Sequence, residues 1–184
     1  KEKTFPHGGS AMAREIADAG LRPGLWIAPL QASPRSPVAT AHPSWLMPAE
    51  DGAVRTFAKD REALDGSNPE VLAFLRDTFG DLRREGWRWV KVDFAYLALL
   101  GKPQFDPTLT NVEAYRQGWR AIREALGPDI FLLGVGTMGT LAGFVDGMRL
   151  TLDNAPCWDE DKPNDLLGNS RGFKPTVRTG ARRW

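Results

Sequence analysis

The sequence predicts an α/β fold built on parallel strands. Two observations carry this. Three amphipathic helical patterns are each followed by a strand-like run, and helix-then-strand alternation is the mark of a parallel sheet. Two of the strand candidates also keep apolar residues on one face and gather charge on the other near their ends. The chain has 184 residues, enough for one domain with a sizeable core.

The first helical pattern is SAMAREIADAG at 10–20. Ser10 is a plausible N-cap, Met12 and Ile16 lie four apart, and Gly20 can end the helix in a left-handed conformation. PGLWIAP follows at 23–29 as a strand. Residues 30–68 then form an excursion carrying Pro34, Pro37, Pro43 and Pro48; a loop of that length is expected to be functional or a covering lid. The second pattern is NPEVLAFLRDTFGDLRREG at 68–86. Asn68 caps, Pro69 takes the first helical position, and Leu72, Leu75, Phe79 and Leu82 share a face. WRWVKVDF at 87–94 is the next strand. In the third pattern, at 111–128, Val112, Tyr115, Trp119, Ile122 and Leu126 step by three and four, and Gly127-Pro128 stops it. DIFLLGV at 129–135 and VDGMRLTLD at 145–153 complete the strands, the latter after only a short segment.

Composition narrows the function. Lys plus Arg is 24 and Asp plus Glu is 23, so no charge excess points to nucleic acid or a membrane surface. No run of 18 apolar residues exists, and no membrane span is expected. Seven Trp exceed packing needs, and their flat faces suit sugar rings. Trp26, Trp45 and Trp158 are candidates for stacking on sugar; Trp87, Trp89 and Trp119 read as core. His7 and His42 have no partner at metal-ligand spacing, and DEDKPND at 159–165 lacks the spacing of a calcium loop, so neither metal nor cofactor is expected. The lone Cys157 reads as a structural residue; with no disulfide and no apolar leader, a cytoplasmic location is expected. The opening KEKTFPHGG reads as the middle of a longer protein.

On WVKVDF, Val90, Val92 and Phe94 share one face, and Lys91 and Asp93 share the other with Trp89. On GMRLTLD, Arg149, Thr151 and Asp153 lie opposite Met148, Leu150 and Leu152. One reading is a set of structural ion pairs at strand ends. The other is a barrel whose interior mouth carries the charges, because α/β barrels place their chemistry at the C-terminal ends of strands. Two carboxylates with cations suit glycosidic cleavage, which needs one ionised carboxylate and one protonated acid. Lys91 favours an ionised Asp93; Asp153 would need a drier or more anionic setting to hold its proton.

Four segments together, FPHGGSAMAREIADAGLRPGLWIAP, LDGSNPEVLAFL, EGWRWVKVDF and GFVDGMRLTLDNAPCW, resemble the melibiase-type α-galactosidases of glycoside hydrolase family 36 and its clan. The likeness runs in order over about residues 5–158. It implies a (β/α)8 barrel and a retaining mechanism. It also implies that Asp93 is the nucleophile, Asp153 the acid/base, Lys91 and Arg149 sugar contacts, and Trp26 a substrate-lining aromatic. The Asp-Asp-Gly-Trp strand of the family is absent, and Val135 stands where a cysteine is often found. The expectation is a partial catalytic barrel at 1–158, four units resembling the third to sixth strands and incomplete at both ends, then an irregular tail at 159–184. A closed barrel takes roughly 250 residues, so the isolated chain is expected to be weakly active or inactive. The partner is an oligosaccharide or glycoside; oligomerisation of the intact enzyme stays open. So do α-N-acetylgalactosaminidase, α-glucosidase or transglycosidase specificity, and a non-catalytic carbohydrate-binding remnant.

A rival reading rests on GVGTMG at 134–139, which fits the dinucleotide string G-x-G-x-x-G and precedes Asp153. That fingerprint needs a crossover helix, and only residues 140–144 are free for one. The alternative is that these glycines, Gly136 among them, let a strand-to-loop backbone approach a sugar.

Overall fold

The computed structural model describes residues 6–47, 61–135, 139–151, Asp153 and Trp158. Gly136, Cys157, the acidic stretch 159–165 and the tail 159–184 lie outside the described residues. Helix α1 (Gly8–Asp18) leads to strand β1 (Gly24–Ile27). The chain then builds a small unit: β2 (Gln31–Ala32), α2 (Pro37–Ala41), a 3₁₀ turn (Pro43–Trp45), β3 (Leu46–Met47) and β4 (Glu62–Leu64). Helix α3 (Pro69–Glu85) and β5 (Trp89–Val92) follow, then a 3₁₀ turn (Ala95–Leu99), α4 (Asn111–Leu126), β6 (Phe131–Val135) and β7 (Gly147–Arg149).

Strands β1, β5, β6 and β7 form one parallel sheet in that order. Each new strand adds beside the last, so the sheet winds in one direction and has no switch point where a dinucleotide would bind. This is the winding of a barrel, and four strands are half of its ring. Val90, Val92 and Leu132 face the helices and are fully buried. Trp89, Lys91, Phe131 and Leu133 occupy the other face and are half-buried. The Trp89 and Phe131 rings, paired in register, lie parallel with centroids 6.2 Å apart near the N-terminal edge of that face.

The helices form for the reasons their sequences give. The Asn68 carboxamide accepts the Glu70 N–H at 2.9 Å, Pro69 begins α3, and Gly86 at φ 100° ends it. Val71, Leu75 and Phe79 are its buried stripe, with Leu72 and Leu82 beside them. Helix α4 starts in a capping box between Thr110 and Glu113, and all of its expected face is buried except Val112. Helix α1 differs from expectation. It begins at Gly8, so Ser10 is an internal residue and no side chain caps the end.

The excursion at 30–68 is not a lid in its described parts. β2, β4 and β3 form an antiparallel sheet, and Leu30, Ala32, Ala39, Trp45, Met47, Ala63 and Leu64 belong to the same core as α3 and β5. Trp45 is buried, donates to Glu70 at 2.8 Å and stacks on His42, so it is not a sugar platform. Trp87 and Trp119 are core as expected.

Candidate active site

Asp93 sits one residue past β5, at the C-terminal end of a central strand. It is 8 % exposed. The chain turns sharply after it, with Phe94 in the left-handed region at φ 52°. That conformation costs energy for a residue with a Cβ. It aims the Phe94 N–H at Asp93 Oδ1, 2.8 Å away. From β1, Trp26 Nε1 donates to Asp93 Oδ2 at 3.0 Å, and Lys91 Nζ lies 3.8 Å from the same oxygen. Trp26 pairs with Lys91 across the ladder, which places its indole over the strand end. Its ring meets Phe94 edge-on at 6.1 Å. Trp26 nevertheless remains 52 % exposed. The predicted group of Asp93, Lys91 and Trp26 is therefore brought together.

A second buried carboxylate shows what a purely structural one looks like. Asp65 is fully buried and accepts four hydrogen bonds: Ser67 N–H and Oγ–H on one oxygen, Gln104 and Phe105 N–H on the other. An ionised carboxylate has about four lone-pair sites, so Asp65 is saturated. Among the described residues Asp93 has two direct donors and one cation, fewer than the four donors on Asp65.

Arg149 ends β7 and pairs with Asp153, Nη1 to Oδ1 at 2.5 Å. Here expectation is corrected. Strand alternation was to carry Arg149, Thr151 and Asp153 on one extended face, but the strand stops at Arg149 and Thr151 is a bend. In an extended strand, residues four apart are separated by about 13 Å, so the close pair depends on the chain leaving that path. The setting of Asp153 also differs from the dry or anionic one expected: its carboxylate is 59 % exposed and held by a cation. Arg149 Nε is buried and has no hydrogen-bond partner among the described residues.

Tyr96 follows Asp93 in the 3₁₀ turn Ala95–Leu99. Its phenol is pushed above the usual tyrosine value, first by burial and then by the negative charge of Asp93, while the positive charge of Arg149 pulls the other way. The hydroxyl thus feels both groups. No motif or spacing in the sequence marks Tyr96 as part of a site. Trp158 is exposed at 68 % and takes no part in the bonds above. Gly136 lies outside the described residues, but its neighbour Gly134 is informative. It stands inside β6, and a Cβ there would come within 2.6 Å of Leu141 Cδ1, 3.1 Å of Val145 and 3.3 Å of Trp119. Gly134 therefore makes room for packing on the helix side rather than for a sugar or a pyrophosphate. Among the described residues, no three His, Cys, Asp or Glu side chains are grouped to hold a metal, and no helix is long and apolar enough to cross a membrane.

The fold and site together define an arc of an α/β barrel in which β5 leads into one carboxylate–cation pair, Asp93 with Lys91, and β7 into another, Asp153 with Arg149. The chain belongs to the melibiase family, which it matches over residues 1–118. It is 26 % identical over 116 residues to the α-galactosidase AgaA of Geobacillus stearothermophilus, a stretch covering 62 % of this chain and 16 % of that protein. The α-galactosidase TtGalA of Thermus thermophilus, solved in complex with stachyose, superposes with a TM-score of 0.78 at 28 % identity. That likeness covers 97 % of this chain and 39 % of the Thermus enzyme. The same enzyme in complex with p-nitrophenyl α-D-galactopyranoside gives 0.75 at 30 % identity, covering 97 % and 36 %. The chain thus spans well under half the length of these relatives. The structural likeness, unlike the family match, extends over nearly the whole chain.

Proposed function

We propose that this chain is the part of a retaining α-galactosidase that carries both catalytic carboxylates, Asp93 as nucleophile and Asp153 as acid/base. The observation that supports the reading most is Asp93 itself. It is a nearly buried carboxylate at the C-terminal end of a central barrel strand, oriented by Trp26, Lys91 and a backbone N–H, with fewer donors among the described residues than Asp65. Preorganised donors of this kind keep an attacking oxygen aimed without reorganisation at the moment of reaction.

In the first step, Asp93 attacks the anomeric carbon and the bond to the leaving oxygen breaks. Asp153 gives its proton to that oxygen. In the second step, Asp153 takes a proton from water, whose oxygen attacks the same carbon, and the ester to Asp93 breaks. Proton donation requires the Arg149–Asp153 pair to be exchanged for contacts with substrate. The unpartnered Nε of Arg149 is a donor that a sugar hydroxyl would satisfy. The half-exposed Trp26 suits the apolar face of a hexose. Stachyose and p-nitrophenyl galactoside in the Thermus enzyme support a terminal α-galactoside as substrate.

The test uses the full-length protein that contains this chain. Asp93→Ala should lower turnover of an aryl α-galactoside by at least about a thousandfold, or ~4 kcal/mol, while the fold is retained. Added azide should then yield β-galactosyl azide, the product of attack from the face that Asp93 occupied. Preference for an N-acetylgalactosaminide or glucoside would replace the substrate class but not the mechanism. Wild-type turnover in Asp93→Asn, or inversion at the anomeric carbon, would overturn the mechanism.

A further inference from the structure

In its described residues the connection from β6 to β7 contains no crossover helix, only turns at 139–144. β7 is three residues long and lies at the edge of the sheet. Its pairing with β6 is Leu133 with Gly147, Gly134 with Met148 and Val135 with Arg149. A slip of one residue would turn Arg149 to the helix side, because side chains alternate along a strand. So short a ladder holds its register weakly.

Something else holds it. One guanidinium, that of Arg123 in the last turn of α4, binds both ends of the problem. Its Nη1 donates to the Gly127 and Ile130 carbonyls, each at 3.1 Å, at the entry to β6. Its Nε donates to the Phe144 carbonyl at 2.6 Å and its Nη2 to Asp146 Oδ2 at 2.5 Å, at the entry to β7. Asp146 then closes on β6. Its Oδ2 accepts the Leu132 N–H at 2.7 Å, and its own N–H donates to the Leu132 carbonyl at 2.9 Å. Both backbone groups of Leu132 are thus taken by the residue just before β7. Arg116, two turns earlier on α4, donates to the Thr140 carbonyl at 2.7 Å and lies 4.6 Å over the Phe144 ring.

We infer that Arg123 and Asp146 form a register pin: from the N-terminal end of β7 they position Arg149 at its other end and, through the Arg149 ion pair, Asp153 beyond it. They are positioning residues, since they act through the strand and reach no substrate. The inference rests on Asp153 being the acid/base. A displaced acid should be felt most where the leaving group needs a proton.

The experiment compares Arg123→Lys and Asp146→Asn in the full-length protein, with Arg123→Ala as the more severe variant and Asp153→Ala as control. For the pin variants, kcat/KM on an alkyl α-galactoside should fall by about a hundredfold, the scale of a 1 Å misplacement. With a dinitrophenyl α-galactoside, whose departure needs no acid, it should fall by less than about tenfold. Hydrogen exchange at the Leu132 amide should accelerate in Asp146→Asn and in Arg123→Ala. Equal losses on both substrates that follow the folded fraction would overturn the inference, as would unchanged exchange with unchanged activity. If Asp153→Ala itself shows no such split, the acid/base reading fails and the inference with it. A split in Asp153→Ala alone overturns only the pin.

Discussion

Asp93 was legible because it combines a carboxylate with a lysine two residues back on an alternating strand. What surrounds it was not. The turn that aims a backbone N–H at it depends on Phe94 adopting φ 52°, which no local sequence preference for a bulky residue announces. Nor does any spacing bring Trp26, 67 positions earlier, within 3.0 Å of it. That bond yields a prediction. Trp26→Phe keeps an aromatic face but removes the N–H. A hydrogen bond to a charged group contributes about 1.5–3 kcal/mol, so kcat should fall roughly ten- to a hundredfold. Galactose affinity by calorimetry should change much less. A matching loss of affinity with unaltered kcat would assign Trp26 to stacking alone. Asp65 shows the limit of reading single residues. Its four donors come from two separate loops, and only the folded chain reveals that it is a structural carboxylate.

The long helices were readable because their caps and stripes are written locally. Asn68-Pro69 and Gly86 bracket α3, and four of five expected positions on α4 are buried. The small sheet was missed because its strands are two or three residues long and lie in a proline-rich stretch that reads as a loop. One contact between elements was also invisible. At Gly66, just before α3, a Cβ would stand 2.2 Å from the Ala114 carbonyl on α4. Backbone cannot yield as a side-chain tip can, so Gly66→Ala should lower stability by about 3 kcal/mol in urea denaturation. A second prediction concerns the clamp on α4. Burial pulls the Asp146 carboxyl upward, but the Leu132 N–H and the bond and charge of Arg123 outweigh it and hold the group below its usual value. A depressed carboxylate stabilises the fold above its unfolded value, and that contribution fades as pH falls through the lower folded one. Wild type should therefore exceed Asp146→Asn in thermal stability near neutral pH, and the gap should close toward pH ~3. The pair is partly exposed, so the difference should stay within about 1 kcal/mol and shrink with salt. A gap that widens in acid would refute this account of the clamp.

At the scale of the whole molecule, alternation of helix and strand pointed to parallel strands, and four matching segments pointed to the family and its barrel. Asp153 was singled out by strand alternation and by the family resemblance, while the extended geometry assumed for it does not hold because the strand ends at Arg149. The described sheet ends at β1 on one side and β7 on the other, so its ring of strands is half complete. On the proposed reading, open edges would seek pairing, and a half-walled mouth would leave a sugar in water. The purified 184-residue chain should accordingly hydrolyse an aryl α-galactoside slowly or not at all, whereas the full-length protein should do so readily; rapid turnover by the chain alone would show that half a ring suffices. The indole of Trp26 has one last consequence. On the proposed mechanism Asp93 becomes an ester, the anion that accepts the indole N–H disappears, and a half-exposed tryptophan changes its electrostatic surroundings in that instant. Formation and breakdown of the covalent intermediate should then be visible as a transient in intrinsic fluorescence, absent in Trp26→Phe, so that the enzyme carries its own optical clock for the two half-reactions.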